Sequence, residues 1–348
     1  MGINKNLLII AQTVDRKDSN LGFFCGWLEE FAKQLDNVYV IANKVGEYGL
    51  PKNVKVLSLG KENGAGRLKR VFKFWIYLFK YLFKTKAVFV HMCPEYIVYG
   101  GFVARLFGKK LGLWYLHKSL TWKLALANIL ANSIFTAHAD GVPIKSSKVI
   151  VTGHGINTGP FENMGRKPDN SKFTILTVGR ISKSKNLLIL VKSAILLQQK
   201  LSKQVDLIIV GEPYLPEDKA YLRTLQKYIQ EKNAGDRIEF VGKVYHEQIA
   251  DYYKKADVFL NASDTGGVDK AVLEAMASGV PVITSNIAFK NILPNNCLFE
   301  NNDLDGLMEG LSNYKEIDTK SLRAIVINNH NLKNTIKKII SNLQPTSY

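Results

Sequence analysis

The chain has 348 residues, of which 46% are hydrophobic and 10% aromatic, and it carries a formal net charge of +17. This length is too great for one ordinary hydrophobic core and predicts two domains, and the composition excludes an intrinsically disordered chain. The three cysteines are far apart and lack metal-ligand spacing, which argues against a disulfide scaffold and a zinc site and indicates a reducing cytosol.

The positive charge is concentrated in the first half of the chain. Residues 1–165 carry 22 Lys and Arg against 10 Asp and Glu, whereas residues 166–348 carry 25 against 20. A basic excess in one half indicates an anionic partner for that half, such as a membrane surface, nucleic acid or an acidic substrate. The alternative is that the basic surface mainly keeps the protein soluble.

Short apolar runs alternate with helix-length segments along the whole chain. The first series of runs covers residues 6–11, 38–42, 54–59, 87–92, 111–117, 133–137 and 148–155. The second series covers residues 173–179, 205–211, 237–242, 256–261 and 280–285. This alternation predicts right-handed βαβ units and parallel sheets. The polar, turn-rich segment 159–172 between the two series predicts a hinge, with two doubly wound domains that face each other across a cleft.

The segment 67–86, RLKRVFKFWIYLFKYLFKTK, predicts a helix with a basic stripe and seven aromatic residues. The basic residues that share about one third of the helix circumference are Lys69, Arg70, Lys73, Lys80 and Lys84. Such a helix is suited to a membrane interface, and its apolar stretches are too short to span a bilayer. The alternative is a buried domain helix whose lysines extend to solvent.

Two histidines stand at the ends of adjacent predicted strands in the first half. His91 ends one strand and is followed by Glu95, and His117 ends the next. A single histidine at a strand end is usually structural. Two that open toward the same cleft favour a functional contact by at least one of them.

The segment 177–197 predicts a strand, a turn and an amphipathic helix that starts near Lys185. Arg180 and Lys185 leave the carboxyl end of the strand five residues apart. Two cations beside a helix N-terminus suit a departing nucleotide diphosphate. Taken alone, an Arg and a Lys after a strand are most often surface charges.

The segment 256–286 predicts a strand, a glycine-containing loop, a short helix and a second strand. Gly266 and Gly267 allow close approach of a ligand to the backbone and leave amide donors free. Asp269 is the candidate N-cap of the helix 270–277, whose N-terminus suits phosphate or sugar oxygens. Glu274 can accept hydrogen bonds from two neighbouring ribose hydroxyls.

This arrangement resembles the donor site of the family-4 retaining glycosyltransferases, which have the GT-B fold. In that family two glutamates flank the loop. Glu274 matches the second, which holds the ribose, whereas the first would fall at Gly266; the variant TGGVDK supplies Asp269 and Lys270 nearby. Arg180 and Lys185 resemble the family's G-R-x-x-x-x-K element, which binds the donor phosphates, with Asn186 where the family usually has Gly.

The resemblance implies roles for further residues. Gly22 is the first candidate for a loop near the donor phosphate and the acceptor. A histidine at the position of His117 faces the sugar and the reaction centre, and the loop around Gly242 and Val244 contacts the nucleotide base. The candidates on the acceptor side are Asp15, His91 and Glu95.

The resemblance also predicts the domain roles. Residues 1–165 form an N-terminal, acceptor-side Rossmann-like domain, and residues 166–318 form a C-terminal Rossmann-like domain that binds the nucleotide sugar. The C-terminal helix, 319–348, packs back on the N-terminal domain.

The implied activity is that of a retaining glycosyltransferase that needs neither metal nor cofactor. It moves a sugar from a UDP-sugar to a hydroxyl of a glycan or lipid-linked acceptor, in the synthesis of cell-surface polysaccharide or glycolipid. Arg180, Lys185 and His117 form the catalytic set. Because many family members act on lipid-linked acceptors, the protein is expected to be cytoplasmic and peripheral at the inner face of the plasma membrane, with residues 67–86 on anionic lipid.

Three alternatives remain. The missing first glutamate leaves open a non-catalytic sugar-nucleotide-binding partner subunit, and the same fold is compatible with a GT-B sugar-nucleotide epimerase. Nucleic-acid binding is disfavoured, because the basic aromatic segment lies within a βαβ series and no known reader motif is present.

Overall fold

The structure is a computed structural model that describes residues 5–18, 20–162, 169, 171–245 and 248–344. The chain divides into a first unit, Met1–Asn157 with His330–Tyr348, and a second unit, Thr158–Asn329. Each unit is built on one parallel sheet, with seven strands in the first and five in the second. The predicted class of two Rossmann-like parallel-sheet domains is therefore confirmed.

The elements are numbered along the chain. The strands are β1 (Asn6–Val14), β2 (Asn37–Val45), β3 (Val54–Ser58), β4 (Ala87–His91), β5 (Lys110–Trp114), β6 (Ser133–Thr136), β7 (Val149–Val151), β8 (Lys172–Val178), β9 (Gln204–Val210), β10 (Ile238–Gly242), β11 (Val258–Asn261) and β12 (Val282–Thr284). The helices are α1 (Phe24–Gln34), α2 (Arg67–Leu82), α3 (Pro94–Leu106), α4 (Trp122–Leu130), α5 (Leu187–Lys200), α6 (Pro216–Glu231), α7 (Ile249–Lys255), α8 (Lys270–Ala277), α9 (Leu304–Ser312), α10 (Thr319–Asn329) and α11 (Leu332–Leu343).

The sheet of the first unit has the order β3-β2-β1-β4-β5-β6-β7 and is covered on both faces. On one face α1 and α11 bury side chains such as Phe31 and Ile339 against alternate residues of β1 and β4. On the other face α2, α3 and α4 bury Phe74, Leu78 and Ile97 against the intervening residues. This double burial explains why the strands are almost continuously apolar in sequence.

The sheet of the second unit has the order β10-β9-β8-β11-β12. The strand order reverses beside β8, with β9 on one side and β11 on the other. In the first unit it reverses in the same way beside β1, between β2 and β4. Loops at the carboxyl ends of the two strands that flank such a reversal diverge and leave a crevice, which is where open α/β sheets bind ligands.

The boundary between the units lies after Asn157, eight residues before the predicted one. The segment that follows is attached to the second unit, because Phe161 packs edge-on against Tyr253 and its carbonyl accepts a hydrogen bond of 2.8 Å from Arg323. Residues 163–168 and 170 of the predicted hinge lie outside the described residues.

The predicted C-terminal helix is two helices that belong to different units. α10 packs on α8 within the second unit, whereas α11 packs on α1 and β5 within the first. The chain changes unit at His330, where Asn331 pairs with Ile156 in a parallel bridge. Their backbones are joined by the bonds from Ile156 N to His330 O, 2.7 Å, and from Leu332 N to Ile156 O, 2.8 Å.

Candidate functional site

The strongest candidate site lies at the strand-order reversal of the second sheet. Arg180 follows β8, and the loop 262–269 follows β11, the neighbouring strand. Lys185 closes a short 3₁₀ turn, and α5 begins at Leu187 rather than at Lys185. Asn186 between them has φ of 45° and ψ of 45°, a left-handed conformation that glycine adopts freely and asparagine more readily than most residues. This explains why Asn can stand where the resembled family has Gly.

Glycines let the strand ends of this sheet approach one another. Gly211, after β9, has φ of 137°, and a Cβ atom there would lie 1.9 Å from the carbonyl oxygen of Gly179, which follows β8. The Gly211 amide donates a hydrogen bond of 2.9 Å to the carbonyl of Gly242, at the end of β10. Gly242 is thus at the same edge of the sheet as Arg180, two strands away, and Val244 follows it as a half-buried residue.

Arg180 and Lys185 line the same small cavity, and each faces a carboxylate. The Lys185 ammonium nitrogen lies 2.7 Å from an oxygen of Asp269, and both side chains are 18% exposed. The Arg180 guanidinium is 44% exposed and lies 3.8 Å from the buried carboxylate of Asp218. Lys185 is therefore paired closely inside the unit, whereas the charge of Arg180 remains largely available to an anion from solvent.

Asp269 occupies the N-cap position of α8, but its side chain does not cap the helix. One carboxylate oxygen binds Lys185, and the other accepts hydrogen bonds from the side-chain amides of Asn261, at 3.0 Å, and Asn286, at 3.5 Å. The expected N-cap hydrogen bond is absent because these three donors hold the carboxylate away from the helix amides. Asp269 thus links the loop 262–269 to the end of β11 and to the segments that follow β8 and β12.

Asn261 and Asn286 were not identified from the sequence. Asn261 is the last residue of β11, and Asn286 stands two residues after β12. Buried asparagines at the carboxyl ends of two adjacent parallel strands were the signal that could have found them, since those ends form the ligand-binding edge. Asn286 also donates a hydrogen bond of 2.8 Å to the carbonyl of Gly267, and Gly266 beside it has φ of 63°.

Glu274 lies on the buried side of α8. It is 7% exposed, and its carboxylate accepts a hydrogen bond of 3.2 Å from the hydroxyl of Tyr253. Burial, reinforced by Glu274, raises the pKa of Tyr253 well above its usual value. Burial also lowers the pKa of Lys270, the first residue of α8, well below its usual value, an effect that Glu274 opposes. Glu274 therefore belongs to a buried cluster with Tyr253 and Lys270 and is not exposed at the edge of the sheet.

The candidates after β1 form a tight turn in the first unit. Asp15 follows β1, and its carboxylate accepts a hydrogen bond of 2.9 Å from the backbone of Lys17. The amide of Gly22 donates to the carbonyl of Asp18 at 2.9 Å, and a Cβ atom on Gly22 would lie 2.6 Å from that oxygen. Gly22 is needed for this close turn ahead of α1, which is a structural role in its own right.

The two candidate histidines occupy different environments. His91 ends β4 and is 2% exposed, because it is packed among Phe24, Trp27 and Trp114. His117 does not end β5 but lies three residues beyond it, exposed, with its Nδ1 accepting a hydrogen bond of 3.0 Å from the amide of Ser119. Glu95, in the first turn of α3, is half-buried. Of the two histidines, only His117 is placed to meet a ligand from solvent.

Most of the second unit matches a known protein family. The family model described as "Glycosyl transferases group 1" matches residues 162–331, which include the whole candidate site of the second unit. The UDP-Gal:alpha-D-GlcNAc-diphosphoundecaprenol alpha-1,3-galactosyltransferase of Escherichia coli is 30% identical over 196 residues, or 53% of this chain and 48% of that protein. The alpha-monoglucosyldiacylglycerol synthase of Streptococcus pneumoniae is 32% identical over 165 residues, or 44% of this chain and 35% of that protein. The chain thus spans about half or less of the length of these curated relatives.

The fold is shared along the whole chain with solved structures. The structure of Anabaena Alr3699/HepE in complex with UDP matches 98% of this chain and 100% of that chain, with a TM-score of 0.72 and 15% sequence identity. At this identity the similarity shows the fold alone. Residues 162–331 therefore match the group 1 glycosyl transferases, and the chain as a whole has the GT-B fold.

Proposed function

We propose that the protein transfers a sugar from a nucleoside-diphosphate sugar to a hydroxyl of a glycan or lipid-linked acceptor. The observation that carries the proposal is the convergence of Arg180, Lys185 and the loop 262–269 at the strand-order reversal of the second sheet. Cations beside open backbone at such an edge suit a diphosphate. UDP is the proposed nucleotide, since the E. coli relative is named for UDP-Gal and Anabaena HepE was solved with UDP.

The proposed chemistry retains the configuration of the transferred sugar. The bond between the anomeric carbon and the diphosphate oxygen breaks, and the acceptor oxygen forms its bond to that carbon on the same face. The acceptor proton passes to the departing diphosphate oxygen. Arg180 and Lys185 stabilise the negative charge that develops there, and such preorganised charge is usually the largest single contribution to catalysis. His117 is proposed to contact the transferred sugar.

A nucleotide-sugar panel tests this proposal. Thermal shift with UDP, GDP and their common sugar conjugates identifies the nucleotide, and product analysis with and without polyprenyl-diphosphate and diacylglycerol acceptors identifies the reaction. Transfer that depends on an acceptor supports the proposal. Binding of a nucleotide without any turnover would indicate a partner subunit, and interconversion of sugars without acceptor would indicate an epimerase.

We further propose that the first unit docks on an anionic membrane through α2, α3 and α4. No helix in the described ranges is long and apolar enough to cross a bilayer. These three helices cover one face of the sheet but also expose large apolar side chains to solvent. The exposed residues are Leu68, Phe72, Ile76, Phe79, Phe83, Phe102, Leu106, Phe107, Trp122 and Ile129.

The charge of this layer complements anionic lipid. Residues 67–130 carry twelve Lys and Arg and a single acidic residue, Glu95. The apolar side chains of different helices are also contiguous, since the rings of Phe83 after α2 and Phe107 after α3 lie 5.0 Å apart. Exposed aromatic and aliphatic residues within a basic surface are typical of proteins that lie in a membrane interface. The names of two relatives, one of which includes GlcNAc-diphosphoundecaprenol and the other monoglucosyldiacylglycerol, support a lipid acceptor here.

A further inference from the structure

A second cavity, which sequence analysis did not identify, lies at the carboxyl end of β12. It has a volume of about 220 Å³ and is walled by residues that follow β12, by the segment 298–301 and by Asp264 of the loop after β11. All of these residues belong to the second unit. The cavity is therefore on the side of the loop 262–269 that faces β12, whereas Arg180 and Lys185 follow β8 on its other side.

A hydrogen bond joins a residue that lines this cavity to a residue that lines the cavity of Arg180 and Lys185. Asn261 lines the small cavity that contains Arg180 and Lys185, and Thr284 lines the second cavity. The Thr284 hydroxyl and the Asn261 side-chain oxygen are 3.0 Å apart. Asn286, which also lines the second cavity, binds the loop through the carbonyl of Gly267. A ligand in the second cavity would thus lie next to a diphosphate held by the two cations.

The second cavity has the wrong charge for a phosphate. Its lining contains two carboxylates, Asp264 and Glu300, and one ammonium group, that of Lys290. The Lys290 ammonium nitrogen lies 3.5 Å from a carboxylate oxygen of Glu300, so Glu300 already balances part of its positive charge. The surplus carboxylate disfavours an anion and favours a ligand that donates hydrogen bonds, as sugar hydroxyls do.

The remaining lining combines one unused polar atom with apolar surface. The hydroxyl of Ser285 is buried and has no hydrogen-bond partner among the described residues, which is costly unless a ligand or water supplies one. Ile287, Leu298 and Phe299 give the cavity apolar walls. A sugar ring has the matching character, because it presents hydroxyls at its edge and C–H groups on its faces.

We propose that this cavity is a subsite for one uncharged sugar ring. Its volume is below the 300–1,000 Å³ of sites for drug-sized ligands, which fits a single ring rather than an oligosaccharide. The inference rests on the proposed glycosyltransferase function, and the ring comes either from the donor or from the acceptor glycan. Asp264 and Glu300 accept hydrogen bonds from its hydroxyls, and Ser285 donates or accepts one.

Calorimetry on the full chain with UDP and with UDP-glucose or UDP-galactose, and saturation-transfer NMR with methyl glycosides, test the subsite. The variants are Glu300→Gln, which removes one charge at an 80% exposed side chain, and Ser285→Leu, which fills the cavity. Glu239→Gln, on exposed β10 surface, is the matched control. We expect both variants to leave UDP affinity within about twofold of the parent chain and to weaken sugar binding at least about fivefold.

The probes separate the possible sources of the ring. Weaker binding of the UDP-sugar, with UDP unchanged, assigns the cavity to the donor sugar. A weaker methyl glycoside signal, with UDP-sugar unchanged, assigns it to the acceptor. If Glu300→Gln, which is expected to fold, changes neither, the subsite is refuted while UDP binding still supports the proposed function. Glycoside binding without any UDP binding would instead retain the subsite and overturn the nucleotide-sugar proposal.

Discussion

The ion pair with Asp269 affects how Lys185 can bind a phosphate. Lys185 stands where a phosphate-binding lysine is expected, yet a carboxylate already lies 2.7 Å from its ammonium nitrogen. Three donors fix that carboxylate, so it is not a freely moving side chain. A diphosphate bound at Lys185 as proposed would have to share or displace this negative charge, so it would bind less tightly than at a site where the lysine is unpaired.

Asp269→Asn removes this competing charge and keeps an oxygen for Asn261. We expect UDP to bind about fivefold more tightly, which corresponds to about 1 kcal/mol. Titration calorimetry at low and high salt measures the effect, and the gain should shrink as salt increases. Asp251→Asn, an exposed change of the same charge on α7, serves as control. Unchanged or weaker UDP binding by Asp269→Asn would show that the ion pair does not compete with the diphosphate.

Arg180→Ala is expected to lower turnover at least about tenfold, because the Arg180 side chain is 44% exposed, against 18% for Lys185, and is the more available cation for the proposed leaving diphosphate. Lys183→Ala is the matched control, since Lys183 is an exposed cation three residues away in the same connection between β8 and α5. Steady-state kinetics with the donor identified by the panel measure both. Near-normal turnover of Arg180→Ala would contradict its proposed role.

For single residues, the sequence predicted the place in the sheet better than the side-chain contacts. The placement of Arg180, Lys185 and the loop residues at neighbouring strand ends follows from the order of strands and loops, which the apolar runs reveal. The partners of Asp269 do not follow, because they depend on three loops that meet only in the folded unit. For the same reason the sequence predicts the position of Glu274 on α8 but not its hydrogen bond with Tyr253, and its ribose-binding role stays a prediction.

Helix α2 shows what a periodic pattern can and cannot decide. The pattern of residues 67–86 predicted either a membrane-interface helix or a buried domain helix, and the structure shows a helix with one buried apolar face and further apolar side chains exposed to solvent. Phe74, Leu78, Tyr81 and Leu82 are buried in the first unit, as the second interpretation requires. Leu68, Phe72, Ile76, Phe79 and Phe83 nevertheless form a second apolar stripe that is exposed. Two stripes on one helix look like a single broad apolar surface in sequence.

Removing the exposed stripe tests the docking proposal. Phe72→Ser with Phe79→Ser should reduce binding to phosphatidylglycerol vesicles at least about tenfold, since each ring contributes apolar area to the interface. Neither side chain belongs to the core, so the fold should persist, and circular dichroism verifies this. Ile327→Ser, on α10 of the second unit, is the control.

Vesicle charge and salt provide the second arm of this test. Binding should be weaker to phosphatidylcholine vesicles and should decline with added salt, as expected for a basic surface on anionic lipid. If the double variant sediments with phosphatidylglycerol vesicles as well as the parent chain does, the proposed surface is wrong.

For the whole molecule, the two parallel sheets follow from the spacing of the apolar runs, but the path of the chain between the units does not. The sequence of 319–348 predicts helix throughout, and nothing local reveals that the chain changes unit at His330. The change is decided by packing, because Ile336, Ile339 and Leu343 of α11 complete the core beside α1.

Ile339→Ala should therefore destabilise the first unit by about 2–4 kcal/mol, as is typical of a large-to-small change in a core. Hydrogen exchange resolved by peptide measures this, because a single unfolding curve does not separate two units. Faster exchange is expected in α1 and β5, with α5 and β9 unaffected. Ile327→Ala, a partly exposed isoleucine of α10, is the control. Equal acceleration in both units would show that α11 does not act through the first unit alone.

Ile156 and Asn331 are paired in a bridge, so the second unit is an insertion, here called a cassette, between two paired backbone segments of the first unit. Both ends of the second unit connect to the first unit at paired backbone positions. If the second unit were removed, a linker of a few residues could therefore reconnect the first unit. The same geometry would allow the equivalent cassette of a relative to be inserted at these points without stretching either connection. If the second unit binds the nucleotide sugar as proposed, this one transplanted segment would exchange the nucleotide-sugar preference between relatives.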